Sequence, residues 1–211
     1  METLLTFGPV RTPADLEDAR AVREHLYQSR LGLTFHEREK EDQRDAQGAV
    51  MLLRHGERCV ATVRLTPVGA RHVEMRDLGL LPTEFEGADD LLEVSRLAAV
   101  PSEPNVRSYA GILLPAAAKW VQQHLATTRF IAYCRVSVLK LMVAMGSEPI
   151  GEPFHLQERT SEPYRVILGN IARTAALHDS SNVIFTGAQG GEPARLLDEG
   201  ALAIDEQDTW S

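Results

Sequence analysis

Residues 91–100 read LLEVSRLAAV, a run that is apolar on both faces and therefore predicts a strand at the centre of a sheet. Two opposite charges, Glu93 and Arg96, stand inside it. Side chains alternate along a regular strand, so Glu93 and Ser95 would point to one face and Arg96 to the other. A β-bulge near Ser95 would bring the two charges toward one side and leave backbone N–H groups unpaired.

A buried charge is unfavourable unless it is paired or lies in a water-filled cleft, so Glu93 and Arg96 each need a partner. Two separate structural ion pairs explain the residues as well as a functional site does. The strand alone leaves both interpretations open.

The segments around this strand predict a mixed α+β chain. Helical spacing of apolar residues indicates helices over residues 13–30, 108–128 and 137–146. Apolar runs predict a hairpin with strands over residues 49–55 and 59–68, and further strands over residues 129–136 and 162–171. We expect residues 31–48 to form a charged loop and residues 72–80 to form a short strand and turn. This order of elements favours one mostly antiparallel sheet flanked by helices.

The length and composition describe an ordinary globular protein. A chain of 211 residues suits one large domain, predicted over residues 1–173, with a C-terminal extension over residues 174–211 whose order the pattern does not define. The net charge of -8 argues against general nucleic-acid binding. No stretch is apolar enough to span a membrane, and the N-terminus lacks the basic start of a secretory signal. Cys59 and Cys134 are best interpreted as buried free thiols, so we expect a cytoplasmic protein.

Further charged residues are candidates for a site, each with an ordinary alternative. Arg23 lies in the first predicted helix, where a lone arginine is usually solvated. Asp42 and Asp45 lie in the charged stretch, whose composition alone favours a solvated loop, and Asp45 could simply begin the next strand. Arg64 lies in the second hairpin strand and is an ordinary surface residue if its face of the sheet meets solvent.

Taken together, four segments resemble one family in order and spacing. REHLYQSRLGL (23–33), DQRDAQGAVMLL (42–53), VRLTP (63–67) and LLEVSRLAAV (91–100) are similar to the motifs of the acyl-homoserine-lactone synthases, the LuxI-type autoinducer synthases. The matching residues are Arg23, Tyr27, Arg30, Leu31, Gly32, Asp42, Asp45, Arg64, Leu65, Pro67, Glu93, Ser95 and Arg96. The resemblance covers residues 20 to 100 by motif, and extends to about residue 170 by the alternation of elements.

The resemblance implies a GNAT-like acyltransferase fold with three layers, α/β/α, and a central mixed sheet splayed into a V around the acyl donor. It implies transfer of a fatty acyl group from acyl carrier protein to the amine of S-adenosylmethionine, followed by lactone closure. S-adenosylmethionine and the acyl-phosphopantetheine group are then substrates, and no tightly bound cofactor or metal is implied. The product would be an N-acyl-homoserine lactone, a quorum-sensing signal.

Carried over to this sequence, the resemblance gives each candidate a role. Glu93 holds or deprotonates the amine, directly or through one water. The bulge near Ser95 supplies backbone N–H donors to the oxyanion or the pantetheine arm. Glu93, Ser95 and Arg96 are thus the catalytic candidates. The substrate-binding candidates, which would order the N-terminal part and bind an amino-acid-like substrate, are Arg23, Asp42, Asp45 and Arg64.

Two departures from the family pattern concern the amine side. Leu33 stands where the family usually carries tryptophan, and Lys40 stands where it usually carries glutamate. Related acyltransferases of the same fold make N-acyl amino acids, so an N-acyl amino acid synthase is the alternative, and a non-catalytic binding protein that kept the fold is a third hypothesis.

The donor is also open to interpretation. The segment PSEPNVRSYAG after the central strand lacks the glycine-rich loop with which acetyltransferases of this fold cradle the pyrophosphate of coenzyme A. Its absence favours a carrier-protein donor without excluding coenzyme A. An acidic carrier protein would need a basic patch, for which the candidates are Arg107, Lys119, Arg129, Arg135 and Lys140. The strand over residues 129–136 and the helix over 137–146 fit either an acyl pocket or plain core.

Overall fold

The computed structural model describes residues 4–31, 38–102, 108–156, 162–178 and 183–186. Its strands are β1 (Leu5–Pro9), β2 (Ala49–His55), β3 (Arg58–Pro67), β4 (Leu91–Ala99), β5 (Arg129–Arg135), β6 (Ser147–Phe154), β7 (Tyr164–Asn170) and β8 (Val183–Phe185). Its α-helices are α1 (Pro13–Leu31), α2 (Arg38–Ala46), α3 (Glu74–Asp77), α4 (Tyr109–His124), α5 (Leu139–Ala144) and α6 (Ile171–Ala175). Short 3-10 turns occupy Thr83–Phe85 and Val136–Val138.

The strands form one mixed sheet in the order β6-β7-β5-β4-β3-β2-β1-β8. Neighbouring strands are antiparallel except for the parallel pairs β4–β5 and β1–β8. The prediction of one mixed and mostly antiparallel sheet, with residues 91–100 at its centre, is confirmed.

Helices cover both faces of the sheet because its strands are apolar on both sides. On β2, Met51 and Leu53 pack into the core cluster that contains α4, whereas Val50 and Leu52 pack against α1. This alternation gives the three predicted layers, α/β/α. No helix among the residues that the structure describes is long and apolar enough to cross a membrane.

The sheet splits at its centre. The parallel strands β4 and β5 are in register only from Leu91–Glu93 against 129–131. Beyond this short ladder the two strands separate and form a V, as the resemblance implied.

The bulge expected near Ser95 is confirmed. On β3, Thr62 lies opposite Ala98 while Arg64 lies opposite Ser95, so β4 carries one extra residue between these pairs. Arg96 lies at this point with a φ of 54°, in the left-handed region that residues other than glycine seldom adopt. The extra residue turns Arg96 to the face of the sheet that Glu93 and Ser95 occupy.

Two local predictions are wrong. The charged segment predicted as a loop over 31–48 contains α2, and residues 32–37 lie outside the described residues. The segment predicted as a short strand and turn over 72–80 contains α3. α2 has no apolar stripe and is held to the body of the protein by polar contacts described below, whereas α3, a single turn, combines such contacts with the burial of Met75 in a core cluster.

The strands β1 and β6 were not predicted. β6 reads SEPIGEPF, and its two prolines argue against a central strand, but an edge strand tolerates them because one side needs no ladder. β8 lies within the predicted extension and pairs with β1 at the other edge. α4 begins at Tyr109 and continues through Pro115, and α5 ends before Gly146, whose φ is 94°.

Candidate functional site

A buried cluster of charged side chains lies on the face of β3 and β4 that meets α2 and α3. At its centre is Arg64, which is 0% exposed. Its Nε donates to Ser95 Oγ at 3.1 Å, its Nη1 to Asp45 Oδ1 at 3.2 Å, and its Nη2 to Glu74 Oε2 at 2.9 Å. Arg64 therefore connects β4, α2 and α3, and it is not the surface residue of the alternative interpretation.

Arg96 is held by two carboxylates. Its Nε donates to Glu41 Oε2 at 2.8 Å, its Nη2 donates to Glu41 Oε1, and its Nη1 lies 3.3 Å from Glu74 Oε1. Its guanidinium also lies over the ring of Tyr27, 5.7 Å from the centroid. Burial opposes the ionisation of Glu41, but the hydrogen bond and charge of Arg96 outweigh it and lower the pKa of Glu41 to about 2.

Glu93 contacts the backbone of α3. Its Oε1 accepts the N–H of Glu74 at 3.3 Å, and its Oε2 accepts the N–H of Met75 at 2.6 Å. Burial, together with the negative charge of Glu74, raises the pKa of Glu93 above its ordinary value. The carboxylate thus anchors α3, and its raised pKa lies closer to the range of a general base.

The remaining candidates separate into two pairs. Arg23 Nη1 donates to both carboxylate oxygens of Asp45, at 2.9 and 2.8 Å, and this pair is buried beside Arg64. Asp42 instead accepts from Arg20 at 2.5 Å, with 41% of its side chain exposed. The structure therefore brings Arg23, Asp45 and Arg64 together and leaves Asp42 at the rim.

A cleft of about 340 Å³ opens between the two arms of the V. Ser95 and Arg96 form part of one wall, on β4, and Tyr133 and Cys134 form part of the other, on β5. The lining is completed mainly by apolar and aromatic side chains, namely Leu26, Tyr27, Val94, Leu97, Ala98, Ala99, Ala110, Ala132, Val138, Met142 and Tyr164, with Arg135 as the further charged residue. Glu93 lies behind this lining.

Two carboxylates of the cluster escaped the sequence interpretation, Glu41 and Glu74. Glu41 and Asp45 stand four residues apart, so a helix over 38–46 places both on one face, toward Arg64. Reading the segment as a loop concealed that signal. Glu74 gives no comparable signal, because α3 is only four residues long and the partners of Glu74, Arg64 and Tyr133, lie on other elements of the fold.

Of the two residues that depart from the family pattern, the structure describes Lys40 but not Leu33. Lys40 is exposed, and the neighbouring Glu41 supplies the carboxylate that contacts Arg96. Leu33 lies outside the described residues, as do Gly32 and Arg107. Among the described residues, no group of His, Cys, Asp and Glu side chains could hold a metal ion.

Comparison with solved structures finds close similarity in fold at low sequence identity. BjaI, a CoA-dependent acyl-homoserine lactone synthase solved with MTA, has a TM-score of 0.68 and 16% identity over 91% of this chain and 97% of that chain. FeeM, an N-acyl amino acid synthase from uncultured soil microbes, has a TM-score of 0.64 and 14% identity over 82% of this chain and 94% of that one. The AHL synthase LasI has a TM-score of 0.61 and 13% identity over 89% and 98% of the two chains.

No family model matches the sequence, and neither does any curated protein. The likeness is therefore one of fold, and it confirms at that level the resemblance predicted from the motifs. The chain has the GNAT-like fold of the acyl-homoserine-lactone synthases and of an N-acyl amino acid synthase.

Proposed function

We propose that the protein is an N-acyltransferase that moves a fatty acyl group from acyl carrier protein to the amine of S-adenosylmethionine, giving an N-acyl-homoserine lactone. The observation that carries the proposal is the open V between β4 and β5, which has a bulge at Arg96 on one arm and the buried charge cluster beside it. The fold shared with the acyl-homoserine-lactone synthases supports it.

The cleft suits an acyl thioester. Its apolar lining takes the acyl chain, and its opening between strands admits an extended pantetheine arm. The extra residue that β4 carries between Ser95 and Ala98 interrupts its regular pairing with β3, and we assign the role of donor to the thioester oxygen to backbone N–H groups at this bulge. Such donors stabilise the negative charge that develops on that oxygen as the amine attacks.

Glu93 is the proposed acceptor of the amine proton. Its oxygens accept the amide N–H groups of α3, and Ser95, which lines the cleft, stands beside it on the same face of β4, so the proton path to Glu93 runs through a water next to Ser95. The amine nitrogen bonds to the thioester carbon, its proton passes through this water to Glu93, and the C–S bond breaks. The departing thiolate takes up that proton, so the amide and a free thiol result. The lactone then closes when the carboxylate oxygen of the acylated S-adenosylmethionine bonds to its own γ-carbon and the C–S bond to the sulfonium breaks, which releases methylthioadenosine.

The acceptor amine has a second candidate, an amino acid. FeeM, described as an N-acyl amino acid synthase, shares the fold over most of its length. Arg23 supports either acceptor, since its Nε and Nη2 are buried with no hydrogen-bond partner among the described residues, and guanidinium groups bind carboxylates well.

The donor has a second candidate as well. Arg135 lines the cleft and Lys140 is exposed on the adjoining α5, a placement that supports docking of an acidic carrier protein. Arg129 is paired with Asp90, and Arg135 itself lies 3.5 Å from a carboxylate oxygen of Glu162. BjaI is described as CoA-dependent, which keeps coenzyme A as the alternative donor.

The test is a mass-spectrometric assay of the purified chain. Acyl carrier protein or coenzyme A thioesters are combined with S-adenosylmethionine or with a panel of amino acids. We expect an N-acyl-homoserine lactone, and an N-acyl amino acid supports the second candidate. The absence of any acylated amine contradicts both.

Site variants test the assigned roles in the same assay. Glu93→Gln and Arg96→Ala should abolish turnover while the circular dichroism spectrum stays native. The control is Glu84→Gln, which removes an exposed carboxylate outside the cluster and should leave turnover unchanged. Full activity of Glu93→Gln would contradict its part in proton transfer.

A further inference from the structure

One carboxylate oxygen links the two walls of the cleft. The hydroxyl of Tyr133, on β5, donates to Glu74 Oε1 at 2.6 Å. Arg96 Nη1, on β4, lies 3.3 Å from the same oxygen. Arg64 Nη2 donates to the other oxygen, Oε2, at 2.9 Å. Through these contacts Glu74 connects β4 to β5 across the split in the sheet. Its side chain is 1% exposed and lies behind the cleft lining.

Where Arg96 and Tyr133 line the cleft, its width depends on contacts between side chains, because no backbone ladder joins β4 to β5 there. The register of β4 against β5 ends at Glu93 and Ile131, before the cleft-lining residues Arg96 and Tyr133. Parallel strands in register lie about 4.8 Å apart, but no ladder imposes that spacing past this point. The path from Arg96 through Glu74 to Tyr133 crosses the gap where the ladder has ended.

Glu74 is itself rigidly placed. The carboxylate of Glu93 accepts the backbone N–H groups of Glu74 and Met75, and the Met75 side chain is 0% exposed within a core cluster. Arg76 donates to the carbonyls of Val68 and Ala70, which fixes the other end of α3. The oxygen that joins the two walls thus has a defined position relative to β4.

We propose that Glu74 is a positioning residue that sets the spacing of the cleft walls through Tyr133, and thereby selects unbranched acyl chains. The proposal rests on the acyltransferase function proposed above. With the link intact, the Tyr133 ring is held by its hydroxyl as well as by its edge contacts with Phe154 and Tyr164. Without the link, the ring can withdraw and admit an acyl group that is wider beside the thioester carbon.

Two acyl thioesters with the same number of carbons but different shapes test the width of the cleft, because their acyl groups are about equally hydrophobic. Hexanoyl and 2-ethylbutanoyl groups are isomers, and only the second is branched beside the carbonyl. The readout is the ratio of their kcat/KM values, which does not depend on how much of the enzyme is correctly folded.

Tyr133→Phe is the primary variant, because it removes one oxygen and keeps the contacts of Glu74 with both arginines. We expect the preference for hexanoyl over 2-ethylbutanoyl to fall about tenfold. Glu74→Gln should shift the ratio in the same direction, and the double variant should shift it no further than the larger single effect. The matched control Glu84→Gln should leave the ratio unchanged. Slower turnover of both thioesters with an unchanged ratio in Tyr133→Phe overturns the proposal.

The activity of the wild-type chain distinguishes a failure of this proposal from a failure of the proposed acyltransferase function. If the wild-type chain transfers hexanoyl groups but Tyr133→Phe keeps the wild-type ratio, the role of Glu74 is refuted while the acyltransferase stands. If the wild-type chain acylates no amine, the proposed function fails. The preference is then measured as the ratio of the Kd values of the hexyl and 2-ethylbutyl thioethers of pantetheine, which cannot react. A wild-type chain that binds neither thioether overturns both.

Discussion

Replacing Glu41 by glutamine should destabilise the fold by an amount that depends on pH. The side chain is 15% exposed and contacts Arg96, Arg64 at 3.3 Å and Arg44 at 3.0 Å. Its pKa falls from 4.5 to about 2 in the folded protein, largely through Arg96 acting against burial. That depression corresponds to about 3 kcal/mol of stabilisation of the carboxylate at neutral pH.

The sign follows from the direction of the shift. Because the pKa of Glu41 is lower in the folded state than in the unfolded state, its contribution is complete above pH 4.5 and is lost as the pH falls toward 2. Removing the charge also leaves Arg96 buried with less compensation, which acts in the same direction. We expect Glu41→Gln to lower the free energy of unfolding by about 3 kcal/mol at neutral pH and by about 1 kcal/mol at about pH 3.

Urea unfolding of the wild-type chain and the variant across this pH range measures both values. Glu84→Gln is the control, because its exposed carboxylate should give a difference within about 0.5 kcal/mol at every pH. A wild-type-to-variant difference that stays constant between neutral and acidic pH would refute the reasoning, since it would show that the charge of Glu41 is not what stabilises the fold.

Three further predictions concern packing, the surface and the cleft thiol. Gly169→Ala should lower the free energy of unfolding by about 1–3 kcal/mol, because the new Cβ would lie 2.1 Å from the buried ring of Phe130; an unchanged urea midpoint would contradict this. Arg129→Ala should lower it by less than about 1 kcal/mol, since its pair with Asp90 is exposed, and a larger loss in the same assay would count against that view. Burial raises the pKa of Cys134 to about 11, so alkylation at neutral pH should be about a hundredfold slower than for a free cysteine; labelling at the free-cysteine rate, followed by mass spectrometry, would show an accessible thiolate instead.

The apolar part of the fold could be predicted because its signal is local. The central strand, the hairpin and α1 each carry buried apolar residues at the spacing of their secondary structure, and that spacing is visible in the sequence. The bulge was also predictable, because Glu93 and Arg96 could share one face of the strand only if the alternation broke between them.

The polar part could not be predicted in the same way, since its partners are distant in the chain. α2 reads REKEDQRDA and joins the body through pairs such as Arg23–Asp45 and Arg96–Glu41, whose members are 22 and 55 residues apart in the chain. Glu74 stabilises α3 and the cleft by the same kind of contact. The sequence therefore pointed to the arginines and, through the family resemblance, to Asp42 and Asp45, but it gave no sign of Glu41 or Glu74.

The position of Glu41 bears on the choice of acceptor amine. Consecutive residues of an α-helix point about 100° apart, so Lys40 and Glu41 cannot face the same partner. Glu41 faces Arg96 and Arg64, together with Asp45 one turn later, while Lys40 faces solvent. A motif compared position by position registers a lost carboxylate at residue 40, whereas the folded cluster retains one from residue 41. Lys40 by itself therefore gives no reason to prefer an amino acid over S-adenosylmethionine. A competition assay that offers both amines together, with the acylated product identified by mass spectrometry, decides between them.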